Sequence, residues 1–269
     1  MINPLRTLVG CAALAAGLWI VSGPAPAGTP DLPKDSYKKA ADADLKFLQG
    51  RLDDLAKEAT PVPRSARPAT GVVLLLAAYA DALGDPAFKA DVLKVGEAIE
   101  GKKYKDAAEI AKKLTIKPGA AKLGDLPKFG PYEAKKEEDR KVMYLSTTMK
   151  ICSNTTVLKT PSGLNIEKDL KDWTAKGTTA KLDPAAVELL AVRSAVINEY
   201  ALNNPNEKAA SNAKNLKEWQ DFSKQSVDLS KELAAEAGKK GADLPTLRKK
   251  LTQLEALCTN CHGKYRYDD

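Results

Sequence analysis

Near the C-terminus, Cys258-Thr259-Asn260-Cys261-His262 brings two thiols and an imidazole into five consecutive residues, and His262 is the only histidine among the chain's 269 residues. Thiols three positions apart can add across the two vinyl groups of a haem while the neighbouring imidazole reaches the iron. C-x-x-C-H is the attachment spacing of haem c. The cofactor implied is one covalent haem, held by Cys258 and Cys261 with His262 as axial ligand.

Two other chemistries use the same residue types. Zinc could draw on Cys152, Cys258, Cys261 and His262, but adjacent helical residues point about 100° apart and are poorly placed to share one tetrahedral ion. A thioredoxin-like dithiol needs a strand followed by a helix N-terminus to lower a thiol pKa, and no alternating pattern precedes Cys258.

The element that must position the motif is legible. Leu247, Leu251, Leu254, Cys258, Cys261 and Tyr265 step by four, three, four, three and four. Both thiols therefore fall on the inward stripe of one helix, and haem would hang into a helical core. Asp243 suits the N-cap and Pro245 the first turn, so the helix is predicted from about residue 244 nearly to the end of the chain.

Haem c maturation in bacteria takes place outside the cytoplasm, and the N-terminus agrees. Arg6, the apolar run from Leu8 to Val21 and the small-residue site Ala25-Pro26-Ala27 read as a signal peptide over residues 1–27, cleaved after Ala27. A periplasmic or secreted protein is expected, with an uncleaved signal acting as a membrane anchor as the alternative. Cys11 would leave with the signal, and Cys152 is expected to be a buried small hydrophobe.

The formal charge is +7. The lysines occur as pairs such as Lys112-Lys113 and Lys249-Lys250, interleaved with acids, unlike the clustered stripe of a nucleic-acid binder. No nucleic-acid partner is expected. A redox partner protein of acidic character is the functional reading of the residual positive charge, and a solvated helical surface is the plain one.

Elsewhere the pattern is helical, and the fold class is all-α. Ala41, Leu45, Leu48, Leu52, Leu55 and Ala59 share one face, as do Phe88, Val92, Val95 and Ile99, then Tyr104, Ala107, Ala111 and Leu114. Val72 to Ala80 is apolar on every side and predicts a central buried helix stopped at Gly84-Asp85-Pro86. Residues 28–114 thus form a haem-free helical bundle, expected to dock a partner or the haem domain. Residues 115–131, rich in Gly and Pro, read as a linker, and 132–269 as the haem-binding unit. Its helices are expected over about 133–153, from Asp183-Pro184 with Leu189, Val192, Val196 and Tyr200 inward, over about 208–237 with Leu216, Trp219, Phe222, Leu229 and Leu233 inward, and at the motif. The stretch 154–183, anchored by Trp173, reads as a long connection.

In this second unit His262 is followed by Gly263-Lys264-Tyr265-Arg266, and Arg140-Lys141-Val142-Met143 stands on the first helix. The unit resembles the class II c-type cytochromes, the cytochrome c prime family, whose last helix carries C-x-x-C-H followed by x-x-Tyr-Arg. The Arg140-to-Met143 spacing is one residue shorter than usual in that family, and the loop 154–183 is longer. The resemblance implies a four-helix bundle carrying haem c, Arg266 close to the proximal haem face, and a homodimer as a common assembly.

The sixth iron position separates two functions. Bis-histidine ligation is excluded by the single histidine. Met143 and Met149 are the only methionines after the signal, and either would complete a six-coordinate site suited to electron transfer. With neither bound, the site would be open to NO or CO as a gas-binding cytochrome or sensor. A haem enzyme would need a distal acid–base group, and no histidine is left to serve, so no catalytic residue is assigned.

Overall fold

A computed structural model describes residues 30–58, 63–119, 149–152, 156–157, 160–161 and 163–266, and the fold is all-α. The signal segment, Arg140, Met143 and most of the predicted helix 133–153 lie outside the described residues. So does the linker beyond Gly119.

The first four helices are α1 (Lys34–Lys57), α2 (Pro63–Leu83), α3 (Pro86–Glu100) and α4 (Tyr104–Lys113). α1 packs on α2 and α4, and α3 packs on the same two, which closes a ring of four. Every residue from Val72 to Ala80 has no exposed surface. A helix apolar on all sides gains most when surrounded, and α2 is in contact with both α1 and α3. Its stretch Ala66–Leu83 is also long and apolar enough to cross a membrane by composition, and it lies inside the core. Gly84 takes the left-handed φ of 71° that ends α2. Asp85 then caps α3, its Oδ1 accepting from Phe88 N–H at 2.9 Å. Its other oxygen accepts from Lys117 N–H at 2.6 Å, and Gly119 N–H donates to Leu83 O at 2.8 Å. The chain leaving α4 is therefore tied back to the α2–α3 turn.

The second half comprises α5 (Ile166–Thr174), α6 (Pro184–Asn203), the one-turn α7 (Glu207–Ala210), α8 (Ala213–Ala237) and α9 (Leu244–Tyr265). A 3-10 turn, Lys150–Cys152, precedes a two-residue antiparallel pair of β1 (Thr156–Val157) with β2 (Thr160–Pro161), in which Thr156 opposes Pro161. α6 packs on α8, α8 on α9, and α9 on α5.

Three expectations change here. The connection 154–183 contains α5, whose Ile166 and Leu170 are buried with Trp173 half-buried against the core. The predicted helix 208–237 is broken at Ser211-Asn212, because Asn212 caps α8 by accepting from Asn215 N–H at 2.9 Å. The inward face of α8 is also rotated. Trp219, Ser223, Ser226, Ser230, Leu233 and Ala237 are buried, while Leu216, Phe222 and Leu229 are half-buried. Small serines let α8 approach α6 closely, and Ser230 Oγ reaches Ser194 Oγ at 3.0 Å.

α6 joins the halves. One side meets α8 and another meets α1 and α2, so eleven of its residues are buried and Leu189 is only half-buried. Arg193 of α6 donates from Nε and Nη2 to Asp44 Oδ1 of α1 at 2.9 and 2.5 Å, and Tyr79 of α2 donates to Asp44 Oδ2 at 3.0 Å. Glu188 accepts from Ser36 at 2.6 Å and Lys39 at 2.8 Å. The hydrophobic core runs continuously from Tyr37 to Tyr265 across both halves.

Candidate functional site

The motif helix forms for local reasons. Asp243 Oδ2 accepts from Thr246 N–H at 3.0 Å and Pro245 occupies the first turn. A cap of this kind contributes about 1 kcal/mol. Leu247, Leu251 and Leu254 have no exposed surface and Tyr265 has 2 %. Between them Cys258 and Cys261 are half-buried and packed against the core, as their stripe requires. His262, one step round the helix, is exposed.

All three described cysteines are free thiols. Burial pushes the thiols of Cys258 and Cys152 up to about 12 and that of Cys261 up to about 11. They keep some accessible surface yet are crowded by protein on their other sides, so the charged thiolate is poorly solvated. His262, although its residue surface is exposed, has protein around part of its ring, and it is held below its ordinary value first by that desolvation and then by the charge of Arg266, while Glu167 opposes the shift. A neutral imidazole is the form that ligates iron. Its ring makes no side-chain hydrogen bond to a described residue.

Glu167 is the residue the sequence reading missed. It opens α5, which packs along α9, and Lys171 Nζ donates to its Oε1 at 2.7 Å. That bond holds its carboxyl below the usual range. The carboxylate lies within electrostatic reach of Cys152, Cys258, His262 and Arg266. Its signal in the sequence is the pair Ile166 and Leu170, spaced like a helix face within a charged stretch.

Cys152 sits at the end of the 3-10 turn that packs on α2 and α5, and it feels the charge of Cys258 and of Arg193. Met149 begins the same segment, half-buried against the core. Arg266 is exposed just beyond α9, where its N–H donates to His262 O at 3.0 Å. Cys258, Cys261 and His262 thus share the end of α9, with Arg266 just beyond it, and Glu167 and Cys152 act on this region electrostatically from α5 and from the 3-10 turn. Met149 stands on the segment that ends at Cys152, and Met143 is outside the described residues.

The end of α9 is held firmly. Tyr265 OH lies 2.9 Å from Glu218 Oε2 and 3.1 Å from Asn215 O, and its ring meets Trp219 edge-on at 5.6 Å. Asn206 Nδ2 donates to Tyr265 O at 2.7 Å and Lys208 Nζ to Arg266 O at 2.8 Å. At the other end Arg248 donates to Trp173 O at 2.6 Å and Ala180 O at 2.9 Å, which fixes the chain beyond α5.

No group of three or more His, Cys, Asp or Glu side chains able to hold a metal ion stands together among the described residues. The donor set instead fits a haem: two unpaired thiols one turn apart, an adjacent neutral imidazole, and inward apolar neighbours on the same helix. No family model, curated protein or solved structure matches the chain.

Proposed function

We propose that the protein is a mono-haem c-type cytochrome that carries electrons outside the cytoplasm, with haem held by Cys258, Cys261 and His262. The observation that carries this reading is the common origin of all three groups on α9, the thiols inward and the imidazole beside them, none engaged by a described side chain. When bound, haem supplies a one-electron Fe(III)/Fe(II) couple. The chain's own residues do the rest. The thiols of Cys258 and Cys261 would hold the group covalently, and the imidazole of His262 would serve as its axial ligand. Glu167 and Arg266 place one charge of each sign near that imidazole.

The raised thiols support haem attachment over dithiol exchange. A redox dithiol works through a stabilised thiolate, and burial here destabilises both thiolates. In the proposed unit, α6, α8 and α9 supply three helices of a cytochrome c prime-like four-helix bundle; the helix expected over about 133–153 as its first lies mostly outside the described residues. Met143 and Met149 remain the two candidates for the sixth ligand, and of these Met149 is described, half-buried against the core on the segment that ends at Cys152.

The test is the optical spectrum of protein matured in a host that attaches haem c, recorded oxidised, reduced, and reduced under CO, alongside Met149→Ala and Met143→Ala. A low-spin spectrum indifferent to CO and lost in one variant makes it a six-coordinate electron carrier. A high-spin spectrum that responds to CO assigns the gas-binding alternative. Absence of covalent haem refutes both.

A further inference from the structure

We propose that Tyr265 is a positioning residue for His262, its buried phenol tying the last turn of α9 to the start of α8. The inference rests on the haem reading above. Its ground is an imbalance in what holds the imidazole. A metal-ligating histidine usually donates its second ring N–H to a carboxylate or carbonyl that fixes its orientation. The His262 ring has no such partner among the described side chains, whereas the backbone turn that carries it is held by several described contacts.

That turn is the final one of α9, and its last carbonyls have no partners within the helix. Four external ties hold it. The Tyr265 phenol, 2 % exposed, lies 2.9 Å from the carboxylate of Glu218 and 3.1 Å from the Asn215 carbonyl. One phenolic proton serves one acceptor at a time, and the charged acceptor is the closer. Lys264 donates to the same Glu218 oxygen. Asn206 and Lys208 bond the carbonyls of Tyr265 and Arg266. Trp219, placed by its 2.7 Å bond to Ala201 O, closes the ring edge. Tyr265 stands three residues after His262, one turn along the helix. Loss of the phenol contact would let that turn fray toward the chain end and free the imidazole to swing.

The experiment compares Tyr265→Phe, Glu218→Ala and Glu218→Gln in the full chain. Gln keeps an oxygen that accepts the phenol proton and loses only an ion pair on the surface, which contributes little. Two readouts are taken. In the haem-free chain, amide exchange at Arg266, whose N–H bonds His262 O, is expected to quicken about tenfold in Tyr265→Phe and Glu218→Ala, with Leu251 and Leu254 unchanged. In haem-loaded protein, the EPR band of the oxidised haem, whose position reports the orientation of the axial imidazole, is expected to broaden and shift in those two variants and to stay at the wild-type position in Glu218→Gln. A loss of melting temperature alone, with exchange at Arg266 and the band unmoved, overturns the proposal and leaves Tyr265 a packing residue. A shift in Glu218→Gln equal to that in Glu218→Ala overturns it as well, since charge rather than the phenol bond would then be responsible. If wild-type protein takes up no covalent haem, the haem reading fails by itself, and the exchange measurement still decides whether the phenol holds the turn.

Discussion

Replacing Arg193 by methionine would separate the two halves energetically without removing much volume. Asp44 has no exposed surface, and three hydrogen bonds, two of them from Arg193, surround its carboxylate. Methionine fills the space of the arginine stem but leaves the carboxylate with the Tyr79 hydroxyl alone. Breaking a buried pair in this way costs about 3–5 kcal/mol. For a chain of this size the melting temperature should fall by roughly 10 °C. The pH dependence follows from the same geometry. Burial already raises the Asp44 carboxyl, and the opposing pull of Arg193 is lost in the variant. A carboxyl raised in the folded state binds its proton more tightly there than in the unfolded chain. Both proteins therefore lose stability as pH rises from about 4, and the deficit of the variant relative to wild type opens above the raised wild-type value, by up to ~1.4 kcal/mol per unit, and closes on acidification. Urea unfolding of wild type, Arg193→Met and Asp44→Leu/Arg193→Met at pH 7 and 4.5 measures both effects. The double variant buries no charge at this position and should return to within about 2 kcal/mol of wild type. A single variant that costs less than 1 kcal/mol at pH 7, or one whose deficit does not shrink at pH 4.5, would refute the buried pair.

Three further outcomes follow from the site. In the haem-free chain, alkylation of Cys258 and Cys261 by iodoacetamide at pH 8 should be about a hundredfold slower than for a free thiol, because their thiolates are suppressed by burial; mass spectrometry that finds ordinary rates would contradict the raised thiols. Glu167→Gln removes an ionised carboxylate beside His262 and should raise the reduction potential by on the order of tens of millivolts in protein-film voltammetry. Since Lys171 keeps that carboxyl below its usual range, the wild-type contribution is present above that range and is lost only as pH falls through the lowered value. Stopped-flow electron transfer with an acidic partner should depend weakly on salt, because Lys171, Lys168, Lys264 and Lys217 are each paired with a carboxylate near the site; a steep slope would show a field these pairs do not cancel.

How much was legible in the sequence depended on whether packing was carried by apolar residues. α1, α3, α4 and α9 follow their leucine, valine and alanine spacing, and Asp243 caps α9 as its position predicts, while Asp85 and Asp183 cap the helices that begin after them. α8 misled because its buried edge is built from Ser223, Ser226 and Ser230, which apolar counting reads as surface. Only the partner helix shows that the Ser230 hydroxyl has an acceptor in Ser194 and that the small side chains fit against it. α5 escaped notice because nine residues, most of them polar, leave just Ile166 and Leu170 to mark a face. The missing element carried Glu167, so the least readable stretch held the least expected residue of the site. The thiols and imidazole needed no such help, since their types and spacing are local.

The role of the N-terminal helices follows from α6. A helix with eleven buried residues needs cover on opposite sides, and α8 supplies one side only. α1 and α2 supply the other, where Glu188 and Arg193 also find their partners. Beyond α6, α2 backs the turn Lys150–Cys152, whose Ile151 has no exposed surface and whose backbone accepts from Leu164 N–H at 2.6 Å. The Cys152 thiol at its end lies within electrostatic reach of Cys258. Contacts thus run from α2 through the turn to α5, which packs on the motif helix, and through α1 and α6 to α8, which grips the end of α9 at Tyr265. Removing residues 30–119 would strip cover from α6 and from Ile151 together. The segment bearing Met149 would lose its backing before any ligand of the motif was touched. The N-terminal helices are accordingly part of the frame that sets the motif's surroundings.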